Sequence, residues 1–283
     1  MGMTYGPRPW QQTQWDWRAA GNFMCGGAGS GLIVFTALAG VRGAELTALL
    51  LAGLGLVGLG LACVWLEIGR PLRAINVFFN PRTSWMSREA IAATALMPVG
   101  LAAALLAPQL VWLAAALALV FVYCQSRMLQ AAKGIAAWRE PRLVPLMIST
   151  GLAEGAGLFW LGAAWHGRGT LALLLLFAAL VIVRMIAWRA WRQRLAAHAA
   201  PRALAAIDGA GRTLLVAGTL VPLVAIAVAG VGWFGAPATA TLAAVGGLLV
   251  AIVGAWFKFT LVTRGGFNQG FALTHLPIRG ARR

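Results

Sequence analysis

Apolar runs of about 20 residues, broken by short polar stretches, recur from one end of the chain to the other, and each is long enough to cross a hydrocarbon core of about 30 Å as a helix. The pattern predicts eight spans, at Asn22–Gly40, Glu45–Leu66, Glu89–Ala107, Leu110–Gln125, Leu143–Ala164, Thr170–Trp188, Thr213–Trp233 and Ala238–Val262. Spans three and four meet at Pro108-Gln109, and spans seven and eight at Gly235-Ala236-Pro237, so both pairs are expected to be tight hairpins. The expected fold is all-α: a polytopic membrane protein of eight helices forming one membrane domain. Residues 1–21 would be an interfacial N-terminal segment, 22–262 the bundle and 263–283 a basic tail. An even number of spans puts both termini on one side.

Composition agrees. The 283 residues are 60% hydrophobic and 11% charged, with a mean hydropathy of +0.80, where a soluble domain carries about 25% charged residues. Thirteen tryptophans fit interfacial belts, and Trp10, Trp15, Trp17, Trp85, Trp112, Trp138, Trp188, Trp191 and Trp256 fall near the expected span ends. The N-terminal stretch RPWQQTQWDWRAAG lacks the basic start, short apolar core and small-residue cleavage site of a removable signal peptide.

The formal charge of +16 reads as topology. Of 23 lysines and arginines, 21 (Arg184 and Lys258 included) fall toward the side holding the termini, and only Arg42 and Arg168 toward the other. The positive-inside rule then makes that side cytoplasmic, in a prokaryotic inner membrane. Its three loops are expected to run about 20 residues each, giving a broad basic and aromatic face suited to a soluble partner or anionic lipid. No soluble domain is left to present a groove, so nucleic acid is not an expected partner.

The polar segment Glu67–Glu89, EIGRPLRAINVFFNPRTSWMSRE, carries the candidate chemistry. Pro71 can open a short interfacial helix whose Leu72, Ile75, Phe78 and Phe79 oppose Arg73, Asn76 and Asn80, with Pro81 ending it. Ser87 is expected to cap span three, with Glu89 in its first turn, where the helix dipole favours a carboxylate. A quinone headgroup needs a hydrogen bond at each oxygen and a group that trades protons with water, while its isoprenoid tail needs lipid. Glu67 or Glu89 would relay the proton, with Arg70 or Asn76 as donors and Arg73 a further candidate at the site. Arg82, Ser84, Trp85, Ser87 and Arg88 are secondary candidates in the same segment, and Glu154 is one outside it.

Glu154 is the one acid near the middle of a span. Inserting it costs roughly 2.5–3.5 kcal/mol, so it should face the interior with a partner, either Ser149, Thr150 or a group on another span. Gly27 and Gly31 form a GxxxG, expected to mark close helix packing. Cys25, Cys63 and Cys124 lie far apart, and His166, His198 and His275 lie outside the spans, so the chain is expected to hold no metal, iron–sulfur cluster or haem of its own.

The run GRPLRAxN…RTSWxSRE resembles the loop between spans two and three in membrane anchors of dimethyl-sulfoxide-reductase-type molybdenum enzymes, within the polysulfide-reductase or NrfD-like superfamily. WDWRAAGNF and TGLAEGAG look most like the membrane subunit of phenylacetyl-CoA:acceptor oxidoreductase. The resemblance implies two partners: a catalytic subunit with molybdenum bis-molybdopterin guanine dinucleotide and a ferredoxin-like subunit with [4Fe–4S] clusters. This chain would anchor both and exchange electrons with menaquinone or ubiquinone. In such anchors a histidine before Gly-x-Pro and a glutamate after the second serine are implicated at the quinol site. The glutamate corresponds to Glu89, whereas Glu67 stands where the histidine would be. A cytoplasmic docking face would suit a CoA thioester as substrate, with electrons flowing toward the quinone. Two rival readings are a transporter or permease, and a pure anchor with no quinone site.

Overall fold

The computed structural model describes residues 9–68, 71–163, 170–197, 199–231 and 235–270. Helix α1 (Trp17–Ala39) starts where the Asp16 carboxylate accepts from the Arg18 backbone N–H at 2.8 Å, and stops at Gly40, whose φ of 63° suits a residue without a side chain. Helix α2 (Gly43–Glu67) leads into a 3-10 helix at Pro71–Phe79. Then come α3 (Trp85–Leu105), a single turn at Pro108–Leu110, α4 (Val111–Gln130), the short α5 (Ala136–Arg139) and α6 (Leu143–Ala163). Helix α7 (Leu171–Leu195) is capped by Thr170, whose Oγ1 accepts from the Leu173 N–H. The chain continues through α8 (Pro201–Leu215), a π turn at Val216–Leu220, α9 (Val221–Val231) and α10 (Gly235–Thr263). Among the described residues eight helical stretches are long and apolar enough to cross a membrane, with α8, the π turn and α9 forming one of them.

Three expectations need correction. Span seven begins at Pro201, about a dozen residues earlier than its hydropathy suggests, because α8 is amphipathic and its polar face hides it from a hydropathy window. The loop after span six is therefore a short turn, not a stretch of about 20 residues. Span three is capped by Ser84, whose Oγ accepts from the Ser87 N–H at 3.3 Å, and Ser87 itself is buried inside the helix. Trp138 and Trp191 are core residues, 1% and 0% exposed, their indole N–H groups bonded to the carbonyls of Leu261 and Ala137. Trp10, Trp17, Trp112 and Trp256 do stand exposed.

Helix α1 lies at the centre, packed on α2, α4, α6 and α10. Its Gly27 and Gly31 face Gly151 and Gly155 of α6, a second GxxxG, and a methyl group on Gly155 would overlap the Gly31 backbone. Two GxxxG faces thus let the helices touch backbone to backbone, as expected when no solvent-driven burial holds them together. Gly157 and Gly247 repeat the device between α6 and α10.

The apolar interior falls into two clusters. One contains Phe35, Leu54, Leu96, Phe121, Phe159, Phe177, Val181 and Val250. The other lies toward the end that carries the Pro71–Phe79 segment and contains Phe23, Trp138, Leu146, Met185, Trp191, Leu214, Val253 and Phe257. At that end Gln12 donates its backbone N–H to the Gly266 carbonyl, and Asn268 to that of Trp10. The chain before α1 is thereby tied to the chain after α10.

Candidate functional site

Where α1 and α3 begin and α2 and α4 end, four helix termini leave a cleft of about 200 Å³ lined by Trp15, Ala19, Asn22, Phe23, Val64, Glu67, Ile68, Met86 and Met128. Ligand sites for drug-sized molecules run to about 300–1,000 Å³, so this cleft is small beside them. Glu67, the last residue of α2, is half-buried here, and Asn22 is fully buried. Arg18, salt-bridged to Asp16 at 2.8 Å and donating to the Leu66 carbonyl, lies within electrostatic reach of Glu67. The Arg18 guanidinium holds the Asp16 carboxyl below its ordinary range.

Asn22 connects the cleft to Glu89. Its Nδ2 donates to Glu89 Oε1 at 3.0 Å, Gln125 Nε2 lies 3.4 Å from the same oxygen, and Gln125 also donates to the Asn22 carbonyl. Glu89 is 4% exposed. It sits one full turn into α3, because the helix starts at Trp85, and two amides from other spans hold it where a first-turn dipole contact had been expected. Asn22 Oδ1 accepts no hydrogen bond among the described residues.

The loop's cations lie elsewhere. Arg73 and Asn76 are exposed on the 3-10 helix alongside Ile75 and Phe79, 63% and 72% exposed, as in a segment lying in the membrane interface. The hydrogen bonds to Glu89 come from Asn22 and Gln125. Arg82 is exposed, and its carbonyl accepts from Arg88, which also donates to the Pro81 carbonyl. Arg88 stacks 4.1 Å from the Trp85 ring and Arg127 of α4 4.6 Å from it, while Tyr123 meets Trp85 edge-on. Arg70, His166, His198 and His275 lie outside the described residues.

Glu154 has a partner, on another span. Lys258 Nζ of α10 lies 2.5 Å from Glu154 Oε2 and donates to the Phe23 carbonyl at 3.0 Å. Ser149 and Thr150 bond instead to the Leu146 carbonyl. Lys258 and Arg184, expected on the basic face, are both 0% exposed within the bundle. The positive side of the charge count therefore loses two members.

Sequence reasoning passed over Asn22, Gln125, Lys258 and Arg184. Signals existed: Asn22 is the one asparagine in the eight apolar runs, and Lys258 the one lysine. No family model matches the sequence, nor does any curated protein. Among the described residues no cluster of histidine, cysteine and carboxylate side chains could hold a metal ion.

The walls of the cleft are aromatic, thioether and aliphatic side chains, with the Asn22 amide, whose Oδ1 has no partner among the described residues, and the Glu67 carboxyl as polar groups.

Proposed function

We propose that this multi-pass membrane protein is the quinone-reactive anchor of an oxidoreductase complex. The observation that carries the reading is the cleft whose lining joins half-buried Glu67 to fully buried Asn22, with Asn22 holding Glu89. In this reading a bound quinone supplies a two-electron, two-proton acceptor. Trp15, Phe23, Met86 and Met128 would exclude water from the ring, Asn22 would orient it, and Glu67 would pass it a proton taken from water at the end of the bundle. Glu89, fixed by two amides, would supply the second proton.

The same reading makes the half-buried Trp85–Arg88–Arg127 cluster and the Pro71–Phe79 segment the docking face. The partner there is a ferredoxin-like iron–sulfur subunit, which in turn carries a molybdopterin catalytic subunit. The termini face the cytoplasm, and a cytoplasmic substrate such as a CoA thioester delivers electrons to the quinone. The reading rests on the loop motif together with the cleft.

Two measurements test it. Titrating decylubiquinone or menadione into the purified chain should quench tryptophan emission saturably, with the response weakened in Trp15→Phe and in Asn22→Leu. Complex purified from the native host should contain molybdenum and iron, and Glu89→Gln or Glu67→Gln should leave it assembled while abolishing quinone reduction. Saturable quenching absent from the wild type, or unchanged quinone reduction in both glutamine variants, refutes the site.

A further inference from the structure

The two apolar cores are separated by a layer of polar groups. On α6 the core nearer the cleft ends at Met147 and the other resumes at Ala153, with Ser149 and Thr150 between them; Glu154 follows directly. On α7 the division falls between Val181 and Met185, at Arg184, and on α10 between Val250 and Val253. Helices α6 and α7 thus carry hydroxyl, carboxyl or guanidinium side chains to the level where the cores divide, and Lys258 of α10, nearer the cleft end, reaches Glu154 through its Nζ.

Depth follows from helix geometry. At 1.5 Å per residue, Lys258 lies ~8 Å from the cleft end of α10, and Glu154 and Arg184 lie ~16 Å from the corresponding ends of α6 and α7. Glu89 is ~6 Å into α3. The ionisable groups therefore step inward from the cleft to mid-membrane. Beyond them, toward the opposite end, α1 offers the buried hydroxyls of Ser30 and Thr36, neither with a partner among the described residues.

The site is built for these side chains. A methyl group on Gly27 would overlap Lys258 Nζ, and one on Gly254 would come 2.5 Å from Glu154 Oε1. Arg184 donates to the carbonyls of Val250 and Gly218. The Gly218 carbonyl is free to accept because its α-helical donor would be the nitrogen of Pro222, which bears no hydrogen, and the chain winds as a π turn there. Glu154 Oε1 and Arg184 Nε find no partner among the described residues, so each can accept or donate to a bridging water. Gly26 and Gly27 set Gln125 and Lys258 against neighbouring positions of α1, so the Glu89 cluster and the Lys258 cluster are separated by that helix alone.

Charge counting shows what the layer can do. Arg184 and Lys258 are cations, Glu154 is the one carboxylate among them, and the other titratable groups nearby are Cys25 of α1 and Cys63 of α2. With all three charged the cluster carries +1. Arginine keeps its proton, so neutrality requires one proton to leave the Lys258–Glu154 pair. Net charge among apolar helices is costly, which keeps both states within reach of one proton.

We propose that Glu154, Lys258 and Arg184 form a proton-loading site inside the membrane, filled from the cleft end past Glu89. In the empty state the pair holds an amine and a carboxylate beside the Arg184 guanidinium. A proton entering from the cleft end binds the Lys258 amine, becomes shared across the 2.5 Å contact with Glu154 Oε2, and leaves by the same bond breaking. No electron moves. The protein then carries charge through part of the membrane, whether or not a quinone occupies the cleft.

A pH jump applied to the purified chain, or to its complex, on a solid-supported membrane tests this. Binding a proton inside the membrane-spanning region displaces charge and gives a transient capacitive current even where full transport is gated. The wild type should give such a transient, Glu154→Gln and Lys258→Met should reduce it to the level of protein-free membranes, and Arg192→Ala/Asp208→Ala, which removes a partly exposed salt bridge between α7 and α8, should retain it. Each variant is first shown to elute as a single folded species in mild detergent, with Lys258→Arg as an alternative should Lys258→Met fail. A wild type no different from protein-free membranes, or an undiminished transient in Glu154→Gln, overturns the proposal.

Discussion

Asn22 Nδ2 and Glu89 Oε1 lie 3.0 Å apart, joining the first helix to the third beside the cleft. Glu89→Ala removes the acceptor and leaves the Asn22 amide buried without one, a loss of about 1–3 kcal/mol. Glu89→Gln keeps an acceptor oxygen and should unfold close to the wild-type temperature. Thermal melts in detergent that ranked the two variants the other way would count against this arrangement.

Gly155 touches the Gly31 backbone, whereas Gly209 of α8 has open space where a side chain would go. Gly155→Val should therefore cost at least about 1–3 kcal/mol by forcing α1 and α6 apart. Gly209→Ala should gain about 0.5–1 kcal/mol from helix propensity alone. Equal melting temperatures for the two would show that the glycine contact does not hold the helices.

The side chains of Lys258 and Glu154 are 1% and 0% exposed. Lys258→Ala strands a buried carboxylate, and losing one partner of such a pair costs about 3–5 kcal/mol. The double change Lys258→Met/Glu154→Leu removes both charges and should recover most of that loss. Stability of the two variants, measured by the same melt, separates pairing from simple packing.

Asp16 caps α1 and pairs with Arg18, which lowers its carboxyl relative to the unfolded chain. A lowered carboxyl stabilises the fold fully above the unfolded value, near pH 4, and that contribution fades as the pH falls through the lower folded value. Asp16→Ala should cost about 1 kcal/mol at neutral pH, the ordinary worth of a cap, and the gap to the wild type should close in strong acid. A gap that stayed constant from pH 7 to acid would show that the charge plays no part.

The eight spans were legible in the sequence because crossing a hydrocarbon core is a matter of local length and composition, satisfied residue by residue. Caps and breaks were nearly as legible: Pro71 and Pro81 bound the interfacial segment as read, and the cap of α3 was off by one serine, Ser84 for Ser87. Glu154 was recognisable as needing a partner, since a lone acid at that depth costs too much to stand alone. What the sequence could not supply was the partner's identity. Lys258 sits five residues from the end of its helix, where a charge count files it with the flanks, and only the rotation of α10 against α1 and α6 turns it inward. Asn22, Gln125 and Glu89 lie on three helices, with nothing in their spacing to relate them. Span formation depends on each helix and the lipid around it, but side-chain pairing depends on which helix faces meet. That was decided by backbone contacts at Gly27, Gly31, Gly151 and Gly155, through packing that no single segment encodes.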